Sequence, residues 1–172
     1  KKNLFLFQFY QLQPMSIAYL QTPLGVAHIE GDDEGIQKVT ITNDAFPAVE
    51  APTCEVVQSC VAQLKEYFEG KRQVFDLKLN PKGTEFQRRV WQDLLLVPFG
   101  RTTSYLALSR QLGDEKAIRA VAAANGKNPI WLIVTCHRII GSDGSLTGYA
   151  GGLWRKKWLI EFEKGGLKGS LF

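Results

Sequence analysis

The residues Asn80-Pro81-Lys82-Gly83 divide this 172-residue chain into two stretches that cannot be one continuous pattern. Proline has no amide proton to give and glycine leaves the backbone loose, so neither a helix nor an inner strand runs through such a sequence. The chain is therefore expected to fold as two units, residues 15–82 and residues 83–172. A hydrophobic content of 45% gives them enough apolar surface to build a core. Charge separates the same two stretches. Through Lys82 there are 8 Lys and Arg against 10 Asp and Glu, a balance of −2, and from Gly83 onward 13 against 7, a balance of +6. A basic unit joined to a mildly acidic one points to a polyanionic partner for the former, nucleic acid being the commonest.

In the first unit, Ile17 to Leu20 is extended, Thr22-Pro23-Leu24-Gly25 is a turn, and Val26 to Glu30 with Ile36 to Thr42 forms a hairpin. Between Thr53 and Gly70, Val57, Cys60, Val61, Leu64, Tyr67 and Phe68 recur at helical spacing, and Val74 to Leu79 alternates as a strand does. The second unit opens on a helix: Thr84 followed three residues later by Gln87 is a capping box ahead of Phe86, Val90, Trp91 and Leu94. Ser104 to Leu112 and the alanine-rich Lys116 to Asn125 read as two short helices across a glycine-containing turn, a helix-turn-helix pattern. The class is α/β, with a small mixed unit followed by a mostly helical one.

The first residues, Lys1-Lys2 and then Leu4, Phe5, Leu6, Phe7, Phe9 and Tyr10, superficially resemble a signal peptide. Gln8, Gln11 and Gln13 interrupt the apolar stretch, no small-residue cleavage site follows, and it is too short to cross a bilayer, so no membrane association is expected. Met15-Ser16-Ile17 reads as a translation start, which makes residues 1–14 an upstream extension or a cloning remnant. Three cysteines, Cys54, Cys60 and Cys136, without Cys-x-x-Cys spacing and with only His28 and His137 beside them, make neither a disulfide framework nor a zinc set. A reduced, intracellular protein without a bound metal is expected, with Cys54 and Cys60 filling apolar space.

Cys136 differs from the other two. The apolar run Ile130 to Val134 reads as a buried strand that stops at Thr135-Cys136-His137-Arg138, ahead of Gly141, Gly144, Gly148, Gly151 and Gly152. A thiol and an imidazole at the end of a buried element suit a nucleophile and its base. In an extended strand the two side chains would face opposite ways, so contact requires a bend or a bridging water. The imidazole in turn needs a carboxylate to set its tautomer, and Asp143, Glu161 and Glu163 are the later acidic candidates.

These motifs together carry a family resemblance: Arg119-Ala120-Val121, Asn128-Pro129, Cys136-His137-Arg138-Ile139-Ile140-Gly141, Gly148-Tyr149-Ala150-Gly151-Gly152 and Lys157-Trp158-Leu159, with Thr22-Pro23-Leu24-Gly25 near the start. The sequence resembles the O6-alkylguanine-DNA alkyltransferases. The resemblance implies a ribonuclease-H-like first domain and a helix-turn-helix second domain. It also implies a monomer that repairs double-stranded DNA without a cofactor, in the cytoplasm at the bacterial nucleoid or in a eukaryotic nucleus. It implies that Cys136 takes the alkyl group from O6-alkylguanine, and from O4-alkylthymine, in a single turnover. His137 would accept the thiol proton through water, Glu163 would orient His137, and Tyr105 would help rotate the nucleotide and donate to the leaving guanine.

By the same resemblance, Arg119 would fill the space that the flipped base leaves, with Ser104 among the DNA contacts. Ala117, Ala120, Ala123 and Ala124 would keep the second helix slim enough for the minor groove. Tyr149, Ala150 and Gly151 would form the lip of the pocket, Ile139 would offer its carbonyl to the base, and Asn128 would tie the segment entering the site to the helix-turn-helix. Lys156 would assist at the guanine, although a cluster such as Arg155 to Lys157 ordinarily stands in solvent.

Two positions depart from the family pattern. Thr135 stands where proline is usual, which predicts a retained but slower reaction, and Trp131 stands where smaller residues are common, which predicts a pocket wall that favours methyl over larger groups. Three rivals are weighed against this. A cysteine hydrolase needs an acyl intermediate that water can release, and a thioether is not one. A non-catalytic sensor of alkylated DNA carries tryptophan in place of the cysteine. A transcription regulator needs no Cys-His-Arg site.

Overall fold

The computed structural model describes residues 14–48 and 54–165; residues 1–13 of the expected extension, and Thr53 at the expected start of the first helix, lie outside them. Strands β1 (Ser16–Thr22), β2 (Gly25–Asp32) and β3 (Gly35–Thr42) form an antiparallel meander. The β1–β2 turn is tied by Thr22, whose hydroxyl donates to the Gly25 carbonyl at 2.7 Å and accepts from the Leu24 amide at 3.1 Å. Glycine is required at position 25: its φ is +121°, and a Cβ there would lie 2.2 Å from the Thr42 carbonyl oxygen. Helix α1 (Glu55–Phe68) packs across the sheet and buries Val57, Cys60, Leu64, Tyr67 and Phe68. Cys54 and Cys60 are buried free thiols, and burial pushes Cys60 up to about 12, which makes it inert at neutral pH.

The outer edge of β3 is shared by two segments. Ile36 exchanges hydrogen bonds with Lys78 and Asn80, both at 2.8 Å, and Val39 does so with Pro129 at 2.9 Å and Trp131 at 2.8 Å. The register shift opposite Glu30 and Gly31 lets both residues face that edge. The strand expected over 74–79 therefore shrinks to one parallel bridge at Leu79, and Val74 is 75% exposed. An open strand edge invites pairing with other chains, and here it is used to bind the second half of the molecule to the first.

Helix α2 (Glu85–Leu94) starts on the expected capping box, with both reciprocal hydrogen bonds between Thr84 and Gln87 present. The short strand β4 (Thr103–Ser104) leads into α3 (Tyr105–Gln111), and α4 (Ile118–Gly126) follows. The helix expected over 116–125 opens instead as a 3₁₀ turn, Glu115–Ala117, because the Asp114 side chain caps the Lys116 amide at 2.9 Å. Helix α4 packs on α3 and on α2, where the Trp91 indole donates to the Ala124 carbonyl at 2.8 Å. Ala124 is thus buried, and it is corrected from the set expected on the slim outer face.

The apolar run from Ile130 to Val134 is not a strand beyond the bridge at Ile130. The Asn128 side chain occupies the backbone groups that a strand would have paired: its Nδ2 donates to the Val134 carbonyl at 2.8 Å and its Oδ1 accepts from the Ile130 amide at 2.9 Å. The chain coils into a tight turn, with Leu132 at φ +71° and fully buried. It then forms a 3₁₀ turn at Cys136–Arg138 and enters β5 (Ile139–Ile140), which pairs parallel with β4. Helix α5 (Leu153–Glu163) closes the described chain.

The two halves share one core. Tyr67 of the first meets Phe99 and Phe162 of the second, and Phe68 meets Trp158 and Phe162, in ring contacts with centroids 5.4–6.5 Å apart. Among the described residues no helix is long and apolar enough to cross a membrane.

Thr135 is buried at the edge of this core with φ −81°, close to what a proline ring would impose, and its hydroxyl donates to the Leu94 carbonyl at the end of α2. A side-chain hydrogen bond thus anchors the segment that proline would otherwise stiffen. Thr135→Val keeps the shape and removes the donor, so it should destabilise the fold by about 1 kcal/mol. Thermal denaturation should then show Tm lower by about 2–4 °C.

Candidate active site

Cys136 opens the 3₁₀ turn, and only 3% of its surface is exposed. The bend there answers the geometric difficulty of adjacent thiol and imidazole, and it turns the imidazole toward Glu163 rather than toward sulfur. The Nδ2 of Asn128 has two hydrogens and three acceptors in reach: the Val134 carbonyl at 2.8 Å, Cys136 Sγ at 3.0 Å and the Ile130 carbonyl at 3.3 Å. Asn128 therefore shapes the turn and touches the sulfur directly, a closer engagement than a structural tie. Burial raises the Cys136 thiol to about 11, against the smaller opposing effects of Asn128 and of the Lys156 charge. At neutral pH it is a thiol that needs a base.

His137 is fully buried, with Nε2 2.8 Å from Glu163 Oε1 and Nδ1 without a hydrogen-bond partner. An ionised carboxylate only accepts, so the imidazole proton resides on Nε2 and the Nδ1 lone pair is left free. Burial lowers the His137 pKa below its ordinary value against the raising effect of Glu163, which keeps the ring neutral and ready to accept. Of the three acidic candidates only Glu163 meets the histidine. Asp143 is exposed and bonded to Ser145, and Glu161 is exposed beside Lys157 at 3.8 Å.

Glu163 is surrounded by donors that the sequence did not single out. Arg138 clamps it in two-pronged fashion, Nε to Oε2 at 2.8 Å and Nη2 to Oε1 at 3.0 Å, and spends Nη1 on the Val97 carbonyl at 2.6 Å. The Gly100 amide donates to Oε2 at 3.2 Å, and the Tyr67 hydroxyl from α1 donates to Oε1 at 2.7 Å. Burial alone would raise this carboxyl, but His137 and Arg138 together outweigh it and hold it at about 2. The adjacency of Arg138 to His137 was the available signal for the clamp. Tyr67 lies 96 residues from Glu163 and gave none.

Three other expected site residues, Tyr105, Tyr149 and Lys156, lie close enough to Cys136 to interact with it electrostatically. Tyr105, at the start of α3, donates to the Thr147 carbonyl at 3.2 Å and accepts from Asn125 Nδ2 at 3.4 Å. Lys156 is not solvated as its charged neighbourhood suggested. It is wholly buried, its Nζ donates to the Thr147 carbonyl at 2.8 Å and the Gly148 carbonyl at 3.3 Å, and burial pulls its pKa down to about 8. Arg155 is buried too: Nε donates to the Leu24 carbonyl at 2.9 Å and Nη1 to the Gly151 carbonyl at 2.7 Å, which ties the glycine loop to the first sheet.

Trp131 and Tyr149 meet with ring centroids 5.7 Å apart, and they do so across Gly151. A Cβ on Gly151 would stand 2.8 Å from Trp131 and 2.9 Å from Tyr149, so the glycine is what lets the rings close. Ala150 is exposed beside them, and Ile139 is buried in β5 opposite Thr103. Ser104 caps α3 by accepting from the Ala107 amide at 3.0 Å, so its hydroxyl is engaged within the helix start. Arg119, Ala120 and Ala123 are exposed along α4, and Ala117 is half-buried at its entry.

A buried thiol, a neutral imidazole oriented by a carboxylate, and a helix-turn-helix tied to the sulfur through Asn128 define a protein that carries a cysteine with its own base beside two helices across a turn. Comparison with known proteins supplies the family. Residues 15–81 match the model of the 6-O-methylguanine DNA methyltransferase ribonuclease-like domain, and residues 85–165 match that family's DNA binding domain. A methylated-DNA–protein-cysteine methyltransferase of Methanosarcina acetivorans is 41% identical over 154 residues, covering 87% of this chain and 98% of the relative. One from Mycobacterium tuberculosis is 40% identical over 148 residues, covering 84% and 90%. The crystal structure of the M. tuberculosis O6-methylguanine methyltransferase superposes with a TM-score of 0.79 at 37% identity, covering 92% of this chain and 98% of that one. A structure of the M. tuberculosis protein in complex with DNA gives 0.77 at 40% identity, covering 86% and 91%. The chain belongs to the 6-O-methylguanine DNA methyltransferase family.

The depressed Glu163 pKa has a consequence for stability. Its folded value of about 2 lies below the ordinary 4.5, so the stabilisation from its ionised form is complete above pH 4.5 and is lost as pH falls through 2. Glu163→Gln lacks that charge at every pH and leaves Arg138 buried without its counter-ion. The expected result is a wild-type Tm well above that of Glu163→Gln at pH 7, with the gap closing between pH 4.5 and 2 in a series of thermal melts.

Proposed function

We propose that this protein removes the alkyl group from O6-alkylguanine in double-stranded DNA, and from O4-alkylthymine, by transferring it once to Cys136. The observation that carries this reading is the neutral His137, pinned by Glu163 at Nε2 with Nδ1 unengaged, beside a thiol too weakly acidic to ionise alone. The thiol proton passes through water to His137 Nδ1, and the sulfur attacks the alkyl carbon in line with the C–O bond. An S–C bond forms, the C–O bond breaks with its electron pair going to the guanine oxygen, and Tyr105 supplies a proton or hydrogen bond to the departing base. Burial raises the Tyr105 phenol against the smaller opposing effect of its hydrogen bond to Thr147, so that it stays protonated for this task. The atoms balance without a cofactor. The thioether cannot be hydrolysed as an acyl group can, so each molecule works once.

The alkylated oxygen lies within the base stack, so the nucleotide must be turned out, at a cost of about a few kcal/mol that is least for a damaged pair. In this reading α4 approaches the minor groove on its exposed Ala120 and Ala123, with Ala117 and Ser104 near the backbone. Arg119 fills the vacated space. Tyr149, Ala150 and Gly151 form the lip over the base, Ile139 offers its carbonyl to the exocyclic amine, and Lys156 holds the lip through Thr147 and Gly148. The protein acts as a monomer where the genome is, in a bacterial cytoplasm at the nucleoid or in a nucleus.

Mixing the protein with a duplex that carries O6-methylguanine and mapping the product by mass should find one methyl group per chain, on Cys136, and none on Cys136→Ser. Replacing His137 by alanine should slow the transfer about 10²–10⁴-fold, as loss of a positioned base does. Tight lesion binding with no gain of mass, or many turnovers per chain, would overturn the reading.

Trp131 walls the alkyl pocket against Tyr149 and thereby disfavours bulky groups. Trp131→Ala should raise the rate on O6-benzylguanine relative to O6-methylguanine. Similar wild-type rates on the two substrates would refute this selectivity.

A further inference from the structure

We infer that Tyr67, on helix α1 of the first unit, is a positioning residue for the Cys136–His137–Glu163 relay, its hydroxyl fixing the carboxylate oxygen that the imidazole meets. This rests on the reading of Cys136 as alkyl acceptor.

Three donors converge on Glu163 Oε1: Tyr67 Oη at 2.7 Å, His137 Nε2 at 2.8 Å and Arg138 Nη2 at 3.0 Å. The phenol is the shortest of the three and the only neutral donor that cannot change its charge during the reaction. Burial, reinforced by the charge and hydrogen bond of Glu163, holds its pKa well above the ordinary value, so it donates throughout. The ring has no freedom to leave. It is fully buried, with Phe68, Phe75, Phe99 and Phe162 around it at centroid separations of 5.2–6.1 Å.

Arg138 and Tyr67 act on the carboxylate differently. The Arg138 fork sets the carboxylate plane and neutralises its charge, and it would do so with either oxygen turned toward the histidine. Tyr67 approaches from α1, on the sheet side, and reaches Oε1 alone, which selects the oxygen and disperses its charge. When His137 takes the thiol proton, the carboxylate must stabilise a second cation without taking the Nε2 proton for itself. A carboxylate that already accepts a phenol hydrogen bond is a weaker base, so the proton stays on the imidazole. The titratable and charged groups that face this relay are Tyr67 from α1, Cys136 and Arg138 from the 3₁₀ turn, Tyr149 from the glycine loop, and Lys156 and Glu163 from α5. Of these only Tyr67 belongs to the first unit. The amino-terminal domain thus supplies a part of the active site that the carboxyl-terminal domain lacks.

The test is Tyr67→Phe in the full chain, which keeps the ring packing and deletes the donor. With the charge of Oε1 less dispersed, His137 holds a proton more tightly, so its ring titration, followed by nitrogen NMR, should move to higher pH. The acid limb of the rate–pH profile for methylation of Cys136 by an O6-methylguanine duplex should move with it. At neutral pH the rate should fall about tenfold, the rate equivalent of one hydrogen bond to a charged group. Affinity for the duplex should not change, because Tyr67 has no exposed surface with which to touch DNA. A folded Tyr67→Phe with the wild-type titration and profile would overturn the inference. Should that variant fail to fold, a ring-fluorinated tyrosine placed at position 67 keeps the shape and strengthens the donor. It should move the His137 titration to lower pH, and an unmoved titration would equally overturn the inference. A wild-type protein that leaves Cys136 unmethylated refutes the transferase reading instead, while the His137 titration still decides the role of Tyr67.

Discussion

The structure depends on one buried carboxylate. Glu163 is 6% exposed, and an ionised group at that depth is tolerated only when paired and saturated with hydrogen bonds. Its partners come from every part of the chain: Tyr67 from α1, the Gly100 amide from the loop before β4, and His137 and Arg138 from the reactive turn. Meeting these requirements draws α5, the turn at Cys136–Arg138 and the first unit into a single arrangement. The interaction that orients the base is therefore also one that joins the two halves.

A second set of contacts links the DNA-binding helices to the sulfur. Asn125 at the end of α4 reaches the Tyr105 hydroxyl at the start of α3, Tyr105 and Lys156 share the Thr147 carbonyl, and Asn128, just past α4, touches Cys136. Arg155 continues the connection from Gly151 to the β1–β2 turn. Four of these six links end on a backbone carbonyl, so the side chains of Tyr105, Lys156 and Arg155 set the position of the glycine loop.

Local rules made much of the fold legible. The Thr84 capping box, the hairpin of β2 and β3, the apolar face of α1 and the two helices after Ser104 are written in neighbouring residues, whose interactions survive in any context. The errors lie where local pattern and long-range pairing compete. Val74 to Leu79 alternates like a strand, yet the edge it would join is shared with residues 129–131. The run from Ile130 to Val134 is apolar enough for a strand, yet Asn128 takes up its backbone groups. The charges at Arg155 and Lys156 looked solvated because composition carries no information on which neighbours will offer carbonyls to a buried cation.

At the site, the order of Cys136, His137, Tyr149 and Lys156 along the chain carried the family resemblance, and the proposed chemistry followed from that resemblance rather than from spacing alone. The sequence by itself determined that Cys136 and His137 stand side by side and that the basic surplus lies in the half that carries them. Only the tertiary structure decided which carboxylate orients His137, that Arg138 and Tyr67 hold it, and that Asn128 reaches the sulfur. The reason is physical: hydrogen bonds made across tens of residues depend on how two units pack, and packing is a property of the whole core rather than of any segment.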